Sequence, residues 1–270
     1  MSLAHCRIVL VETHHAGNLG ATARVMRNMG LSDLVLVNPL ADRFHSQALQ
    51  MSTHGDAILR GARMVADLEA AIGDCAMVDG TSARTGGPVR RQSVGSAEQV
   101  MPAVADVLHA GQVAAILFGP EPNGLTDEVI TRCHHIISIP ADDDYPALNL
   151  AQAVAICLYE LRKAVTGSPL APREESASLS RIETATVAEQ ERMFDQLRTA
   201  LEEIHFLYGD KAEPLMHAVR HLLGRARLSQ MEVKVLQGLA RQIRWYVAHH
   251  PRTTGGSSHG ETFQQGPSEP

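Results

Sequence analysis

The chain has 270 residues, a formal net charge of −6 at pH 7 and a hydrophobic content of 44%. This length suits one substantial domain with an appendage, and no window of eighteen uninterrupted apolar residues indicates a membrane span. The N-terminus lacks a basic segment followed by an apolar stretch, so we expect a cytoplasmic protein rather than a secreted or membrane one.

Apolar segments alternate with helical patterns through residues 1–165. The predicted strands cover residues 7–12, 34–37, 75–78, 113–118 and 135–139. The predicted helices cover residues 18–29, 44–51, 56–72, 97–109, 126–133 and 148–164. Apolar strands that alternate with helices predict an α/β fold, in which a parallel sheet carries helices on both faces.

The remainder of the chain differs in composition. Residues 166–182 are predicted to be a linker because glycine, serine and proline are frequent at its start. Residues 183–252 are predicted to form a helical appendage, and basic residues outnumber acidic ones from residue 220 onward. The predicted helices of the appendage cover residues 183–208, 213–224 and 229–247. Residues 253–270 are of low complexity and are predicted to be disordered.

Ligands of open parallel sheets bind beyond the carboxyl ends of the strands, and the first such end is unusual here. Residues 17–20 (Gly-Asn-Leu-Gly) lead into a helix that carries Arg24 and Arg27. Asn18 can be an ordinary helix cap beside solvated arginines, or the group can face an anion. No G-x-G-x-x-G fingerprint and no phosphate-binding P-loop pattern occurs in the chain.

Two later strand ends are also distinctive. Residues 118–126 combine two prolines, two glycines and Glu121, which favours a rigid backbone that presents its N–H and C=O groups to a small ligand. Residues 142–144 are three consecutive aspartates, and Asn149 opens the next helix. A solvated acidic loop is the better interpretation of the aspartates, because adjacent carboxylates do not converge on a metal without a tight turn.

We expect no metal site in this chain. Histidines occur in pairs at residues 14–15, 134–135 and 249–250, but these pairs do not indicate a metal site either. Adjacent side chains diverge in helices and strands, and no Cys/His spacing matches a zinc site.

In their order and spacing, the three blocks resemble the SpoU-type 2′-O-ribose RNA methyltransferases of the SPOUT superfamily. The family patterns are N-x-G-x-x-x-R, then G-x-E-x-x-G-L, then a proline-flanked strand end that runs into L-N-L. The matching residues are Asn18, Gly20 and Arg24, then Gly119, Glu121, Gly124 and Leu125, then Ile139, Pro140, Leu148, Asn149 and Leu150. The resemblance covers residues 7–165.

Within that family, the opening segment and the helical appendage resemble the bacterial enzymes that methylate a pyrimidine ribose at position 32 of the tRNA anticodon loop. The resemblance implies a carboxyl-terminal trefoil knot, S-adenosylmethionine bound in the knot loops, and a homodimer with the active site at the interface. The implied cofactor contacts are Thr81, Ser82, Ala83, Gly119, Ile139, Ala147, Leu148 and Asn149.

The implied catalytic residues are Arg24, Asn18 and Glu121. A guanidinium keeps its proton, so we expect Arg24 to bind the phosphate beside the target ribose rather than to act as a base. Arg24 of one subunit would act at the active site of its partner. Asn18 would hold that phosphate or Arg24, and Glu121 would organise the second loop. The expected RNA contacts are Arg27, Arg84, Arg90, Arg91, Arg241 and Arg244.

Alternatives stay open at this point. The expected partners are tRNA and a second copy of the chain, with no DNA. The last helix can bind RNA, but its apolar stripe also fits dimer packing. That stripe consists of Met231, Val235, Leu239 and Ile243. The same chemistry could act on ribosomal RNA or another tRNA position. A non-catalytic RNA-binding module is a further alternative. Ala147, where close relatives often have serine, favours it, whereas the presence of Asn18, Arg24, Glu121 and Asn149 argues against it.

Overall fold

The computed structural model describes residues 3–83, 94–142, 144–166, 184–224 and 226–250. Within these ranges the chain forms a seven-stranded sheet in which all neighbouring strands are parallel. The strands are β1 (Cys6–Val11), β2 (Asp33–Val37), β3 (Arg63–Val65), β4 (Met77–Thr81), β5 (Val94–Gly95), β6 (Ala114–Phe118) and β7 (His135–Ile137). Their order across the sheet is β3-β2-β1-β6-β4-β7-β5.

Helices cover both faces of this sheet, so the predicted α/β class is confirmed. They are α1 (Ala16–Met29), α2 (Ser46–Ser52), α3 (Asp56–Gly61), α4 (Leu68–Ile72), α5 (Ala97–His109), α6 (Asp127–Ile130) and α7 (Leu150–Thr166). Strand β1 shows why two layers form. Ile8 and Leu10 join the core under α1, α5 and α7, whereas Val9 and Val11 join the core under α4 and α6.

The last three helices of the described chain pack around their own small core. They are α8 (Val187–Glu203), α9 (Ala212–Gly224) and α10 (Gln230–His249). The start of α8 also contacts the sheet domain, because Val187 is buried in the second core and its N–H donates to the carbonyl of Cys75 at 2.8 Å. Most of the predicted linker and the predicted disordered tail lie outside the described residues.

The predicted helix over residues 56–72 is wrong. The helix ends at Gly61, and β3 pairs with β2 as an edge strand before Asp67 caps α4 by accepting from the N–H of Ala70 at 2.8 Å. Three edge residues with one face in solvent are too few to show a strand pattern. The two-residue strand β5 was likewise not predicted.

None of the described helices is both long and apolar enough to cross a membrane.

Candidate active site

A cavity of about 190 Å³ opens at the carboxyl edge of the sheet, where the loops after β4, β6 and β7 meet the start of α7. The structure places seven of the eight residues predicted to contact a cofactor along this cavity. They are Thr81, Ser82, Ala83, Gly119, Ile139, Ala147 and Leu148. The eighth, Asn149, follows directly in the chain and turns its side chain toward α1.

The loop after β6 closes tightly on its own backbone. A Cβ atom at Gly119 would lie 2.3 Å from the carbonyl carbon of Gly124 and from the nitrogen of Leu125, so a larger residue does not fit. Gly124 has a φ of +69°, and its N–H donates to the carbonyl of Pro120 at 2.8 Å. The backbone geometry of this loop therefore requires glycine at both positions, and the two glycines line one wall of the cavity.

Glu121 connects this loop to the end of β1. Its Oε2 accepts a hydrogen bond of 2.9 Å from the N–H of His14, and its Oε1 accepts one of 3.3 Å from the N–H of His15. Oε1 also accepts from the side-chain amide of Asn18 at 2.7 Å. The carboxylate thus satisfies donors at the N-terminus of α1, where a negative charge is favoured by the helix dipole.

These contacts determine the charge state of Glu121. Partial burial alone would raise the pKa of its carboxyl, but the hydrogen bonds from His14 and Asn18 outweigh burial and lower the pKa below its ordinary value. Glu121 is therefore an anion with its lone pairs engaged, which suits a structural role better than proton transfer.

Asn18 does not cap its helix, contrary to one of the two predicted interpretations. Helix α1 begins at Ala16 with His15 as the cap residue, so Asn18 lies inside the first turn. Its amide donates to Glu121, and its Oδ1 accepts a 3.0 Å hydrogen bond from the amide of Asn149. The three residues Asn149, Asn18 and Glu121 form a continuous chain of hydrogen bonds, which we call the amide relay.

Gly20 is required by the packing of α1. It lies inside α1, where a Cβ atom would be 2.0 Å from the carbonyl oxygen of Ala48 in α2. Gly55 makes a similar approach, because its Cβ would lie 2.5 Å from the carbonyl oxygen of Ala23. These two contacts fix how α1 sits on the following segment and hence which residues it exposes.

Arg24 and Arg27 lie on that exposed face of α1. Within the described ranges, neither arginine makes a hydrogen bond or an ion pair, and neither lines the cavity of its own chain. The prediction places Arg24 at the active site of a partner subunit, and its exposed guanidinium leaves that contact open.

The remaining predicted RNA contacts have different surroundings. Arg84, Arg90 and Arg91 lie outside the described residues. Arg241 is exposed on α10, whereas Arg244 forms an ion pair of 2.9 Å with Glu203 of α8. An exposed pair of this kind is worth little and can open when a phosphate competes for the arginine.

Several cavity residues were not singled out from the sequence. Phe118, Pro120, Pro122 and Asn123 line the cavity beside Gly119, and Pro146 lines it beside Ala147. All of them except Pro146 lie within residues 118–126, where the density of prolines and glycines was the usable signal. In the part of the chain that the structure describes, no group of three or more His, Cys, Asp or Glu is arranged to hold a metal ion.

Comparison with known proteins matches both parts of the chain. Residues 5–159 match the model of the SpoU rRNA Methylase family, and residues 188–255 match that of the TrmJ tRNA methyltransferase C-terminal domain. The tRNA (cytidine/uridine/adenosine-2′-O-)-methyltransferase TrmJ of Pseudomonas aeruginosa is 38% identical over 244 residues, which cover 88% of this chain and 93% of that protein. The tRNA (cytidine/uridine-2′-O-)-methyltransferase TrmJ of Yersinia enterocolitica is 34% identical over 95% of this chain and 98% of its own length.

Solved structures agree with these matches. The crystal structure of TrmJ from Z. mobilis ZM4 has a TM-score of 0.72 at 28% identity, and the match covers 88% of this chain and 98% of that one. A probable methylase family protein from Haemophilus influenzae Rd KW20 has a TM-score of 0.57 at 31% identity, covering 92% of this chain and 99% of that one.

Proposed function

The chain belongs to the SpoU methylase family, and from this premise we propose that it transfers a methyl group from S-adenosylmethionine to the ribose 2′-oxygen of a pyrimidine in tRNA. Relatives that match this chain over nearly the whole of their own length are named tRNA (cytidine/uridine-2′-O-)-methyltransferases. The observation that carries the proposal is the amide relay, which connects the three family blocks around one cavity.

The cavity suits the methyl donor chemically. Apolar side chains such as Ile139 and Leu148 line it together with the backbone of the glycine-closed loop. This combination fits a nucleoside, whose base needs apolar surface and whose edges need backbone donors and acceptors. When bound, S-adenosylmethionine supplies an electrophilic methyl group on a sulfonium. Thr81, Ser82, Ala83, Gly119, Ile139, Ala147, Leu148 and Asn149 are the residues that we assign to holding it.

Arg24 supplies the substrate contact in this proposal, and it does so from a second copy of the chain. Arg24 is exposed on α1 and does not line the cavity of its own chain, so a homodimer supplies the guanidinium that the site needs. The guanidinium binds the phosphate beside the target ribose with two parallel hydrogen bonds and orients the ribose. Its fixed positive charge also lowers the free energy of the alkoxide that develops at the 2′-oxygen as the hydroxyl proton passes to solvent water.

We further propose position 32 of the anticodon loop as the target and the cytoplasm, where tRNA is modified, as the location. The target position is supported by the resemblance of the opening segment to enzymes that methylate position 32. The separate helical appendage, with exposed Arg241, supports binding of a large part of the tRNA rather than a short loop alone.

The topology supports a knot. Strand β7 lies between β4 and β5, although β4 and β5 are consecutive in sequence. We propose that the chain after β7 passes through the connection between β4 and β5, which forms the trefoil knot that the family resemblance implies.

Methyl transfer from labelled S-adenosylmethionine to bulk tRNA tests the function. The tRNA comes from a strain that lacks methylation at position 32, and the product is digested and mapped by mass. A 2′-O-methyl pyrimidine at position 32 is the expected result. Label at another ribose would keep the reaction and overturn the position. In a parallel reaction with ribosomal RNA, label there and none in tRNA would overturn the substrate. Cofactor binding without transfer to either RNA would overturn the enzymatic proposal.

A further inference from the structure

The carboxyl-terminal end of α10 carries four aromatic rings on its surface. Trp245 and Tyr246 are 50% and 58% exposed, and His249 and His250 are exposed as well. Trp245 stacks on His249 with 4.5 Å between ring centroids and 25° between ring planes. Tyr246 stacks on His250 at 4.4 Å and 16°. Two parallel stacks therefore lie side by side, and we call these four residues the ring cluster.

The two imidazoles are held in place by the helix itself. Nδ1 of His249 lies 2.8 Å from the carbonyl oxygen of Trp245, and Nδ1 of His250 lies 3.2 Å from that of Tyr246. A carbonyl oxygen only accepts hydrogen bonds, so each Nδ1 donates and each ring is oriented. His250 also meets Trp245 edge-on, at 6.4 Å between ring centroids. Within the described residues, no ring from outside the cluster and no cation lies against Trp245 or Tyr246, so each ring keeps a face for a ligand.

The helix does not use this surface for its own packing. Val233 and Ala240 are the buried residues of α10, and they join the small core with α8 on the other side. Exposed rings of this size are not explained by the folding of the appendage.

The charge of α10 selects the occupant. Lys234 and Arg241 are exposed, and the one acidic residue of the helix, Glu232, is engaged in the capping box with Ser229. A second copy of α10 would bring like charges together, whereas RNA supplies phosphates for the cations and bases for the rings. Base-paired nucleotides are stacked on their neighbours, so only unpaired bases have faces to offer.

We propose that the ring cluster is a stacking platform for unpaired bases of the bound tRNA. This rests on the proposed tRNA substrate and adds a base-contacting site on the appendage, apart from the cavity. Stacking on an aromatic side chain is worth about 1–3 kcal/mol per base, which corresponds to a change in Kd of roughly 5- to 150-fold.

Trp245 is the single tryptophan of the chain, so tryptophan emission reports on the ring cluster alone. The full-length protein is titrated with bulk tRNA, and free tryptophan amide in the same solution corrects for absorption by RNA. We expect quenching that follows the binding curve measured separately by filter retention. Trp245→Leu should weaken tRNA binding about 10-fold, whereas Trp245→Phe should retain most of the affinity. Met231→Ala, on the same helix and 69% exposed, is the matched control. It should change neither the quenching of tryptophan emission nor the affinity for tRNA.

Binding of tRNA without a change in emission would overturn the platform and leave the proposed methyl transfer standing. Absence of any tRNA binding would overturn both proposals. An emission change that depends on protein concentration without RNA would assign the ring cluster to self-association instead.

Discussion

The side-chain amide of Asn149 donates a 3.0 Å hydrogen bond to Oδ1 of Asn18, although 131 positions separate the two residues in the chain. The amide of Asn18 in turn donates to Glu121 at 2.7 Å, so α1 stands between α7 and the loop after β6. Each segment that borders the cavity thus constrains the other two, because a polar network of this kind is favourable only when all its members are satisfied.

Replacing Asn149 with Ser separates two roles of its side chain. Oδ1 of Asn149 accepts from the N–H of Ala151 at 2.9 Å, and a serine hydroxyl can preserve this capping contact. The amide that donates to Asn18 is lost. We therefore expect a small change in the free energy of unfolding, within about 0.5 kcal/mol, and a several-fold loss of methyl transfer.

A double-mutant cycle with Asn18→Ala tests this coupling. We expect an interaction free energy of about 1 kcal/mol for cofactor binding, measured by calorimetry. Strictly additive losses would show that the two amides act independently.

Glu121→Gln should make the stability of the protein less dependent on pH. The pKa of Glu121 is below its ordinary value in the folded state, so its stabilisation is present above the ordinary carboxyl pKa and is lost as pH falls through the lower folded value. At pH 7 we expect the variant to be less stable by about 1 kcal/mol, the size of a helix-capping contact. Urea unfolding of both proteins between pH 3 and pH 7, a range set by the ordinary carboxyl pKa of about 4.3, checks this. A stability difference that grows toward low pH would contradict it.

Arg24→Ala should strongly lower kcat without affecting the fold or cofactor affinity. The guanidinium is exposed, and removing a charge aimed at the developing oxyanion costs roughly 100-fold or more in kcat. Arg27→Ala, three residues along the same exposed face, is the matched comparison, and we expect it to raise KM for tRNA with little change in kcat. Equal losses of kcat in both variants would mean that Arg24 contributes only to RNA affinity.

The dimer proposal gives Arg24 a second test. Mixing Arg24→Ala with a cofactor-blocked variant should restore activity in the mixed dimers, because one of their two sites combines an intact cavity with an intact partner arginine. No recovery would place Arg24 on the cavity of its own chain.

Ala147→Trp is a suitable cofactor-blocked variant. Ala147 is exposed and lines the cavity, so a larger side chain fills the space of the ligand without disturbing the core. We expect the affinity for S-adenosylmethionine to fall at least about 10-fold with unchanged unfolding behaviour. Tyr145→Ala changes a side chain that is 80% exposed two residues earlier, outside the cavity lining, and should leave the affinity unchanged. Tight cofactor binding by Ala147→Trp would exclude this cavity as the cofactor site.

The strands β1, β2 and β6 could be predicted because each contains a run of at least four consecutive apolar residues, as is typical of a parallel strand buried on both faces. Seven of the residues that line the cavity could be named from the family resemblance, which rests on the order and spacing of the three blocks. The amide relay could not, since it depends on side chains from three distant segments that meet only in the fold. The ion pair between Arg244 and Glu203 of another helix could not be predicted for the same reason, because charge counts along the sequence do not show which charges are neighbours.

Gly20 shows how a residue of a functional pattern can act through packing. Because its Cβ would lie 2.0 Å from the carbonyl oxygen of Ala48, Gly20→Ala must push α1 away from α2. We expect a loss of about 2–3 kcal/mol in the free energy of unfolding, as overpacking of a close contact produces. Methyl transfer should fall as well, because α1 carries both Asn18 and Arg24.

Gly224→Ala is the matched control for this change. Gly224 ends α9, and a Cβ there would meet no atom within 4 Å. The substitution should be neutral or stabilising by up to about 1 kcal/mol, because alanine has the higher helix propensity. Urea unfolding of both variants beside methyl-transfer assays decides between packing and ligand binding. If Gly20→Ala kept full stability and lost activity alone, Gly20 would be in contact with a ligand rather than positioning α1.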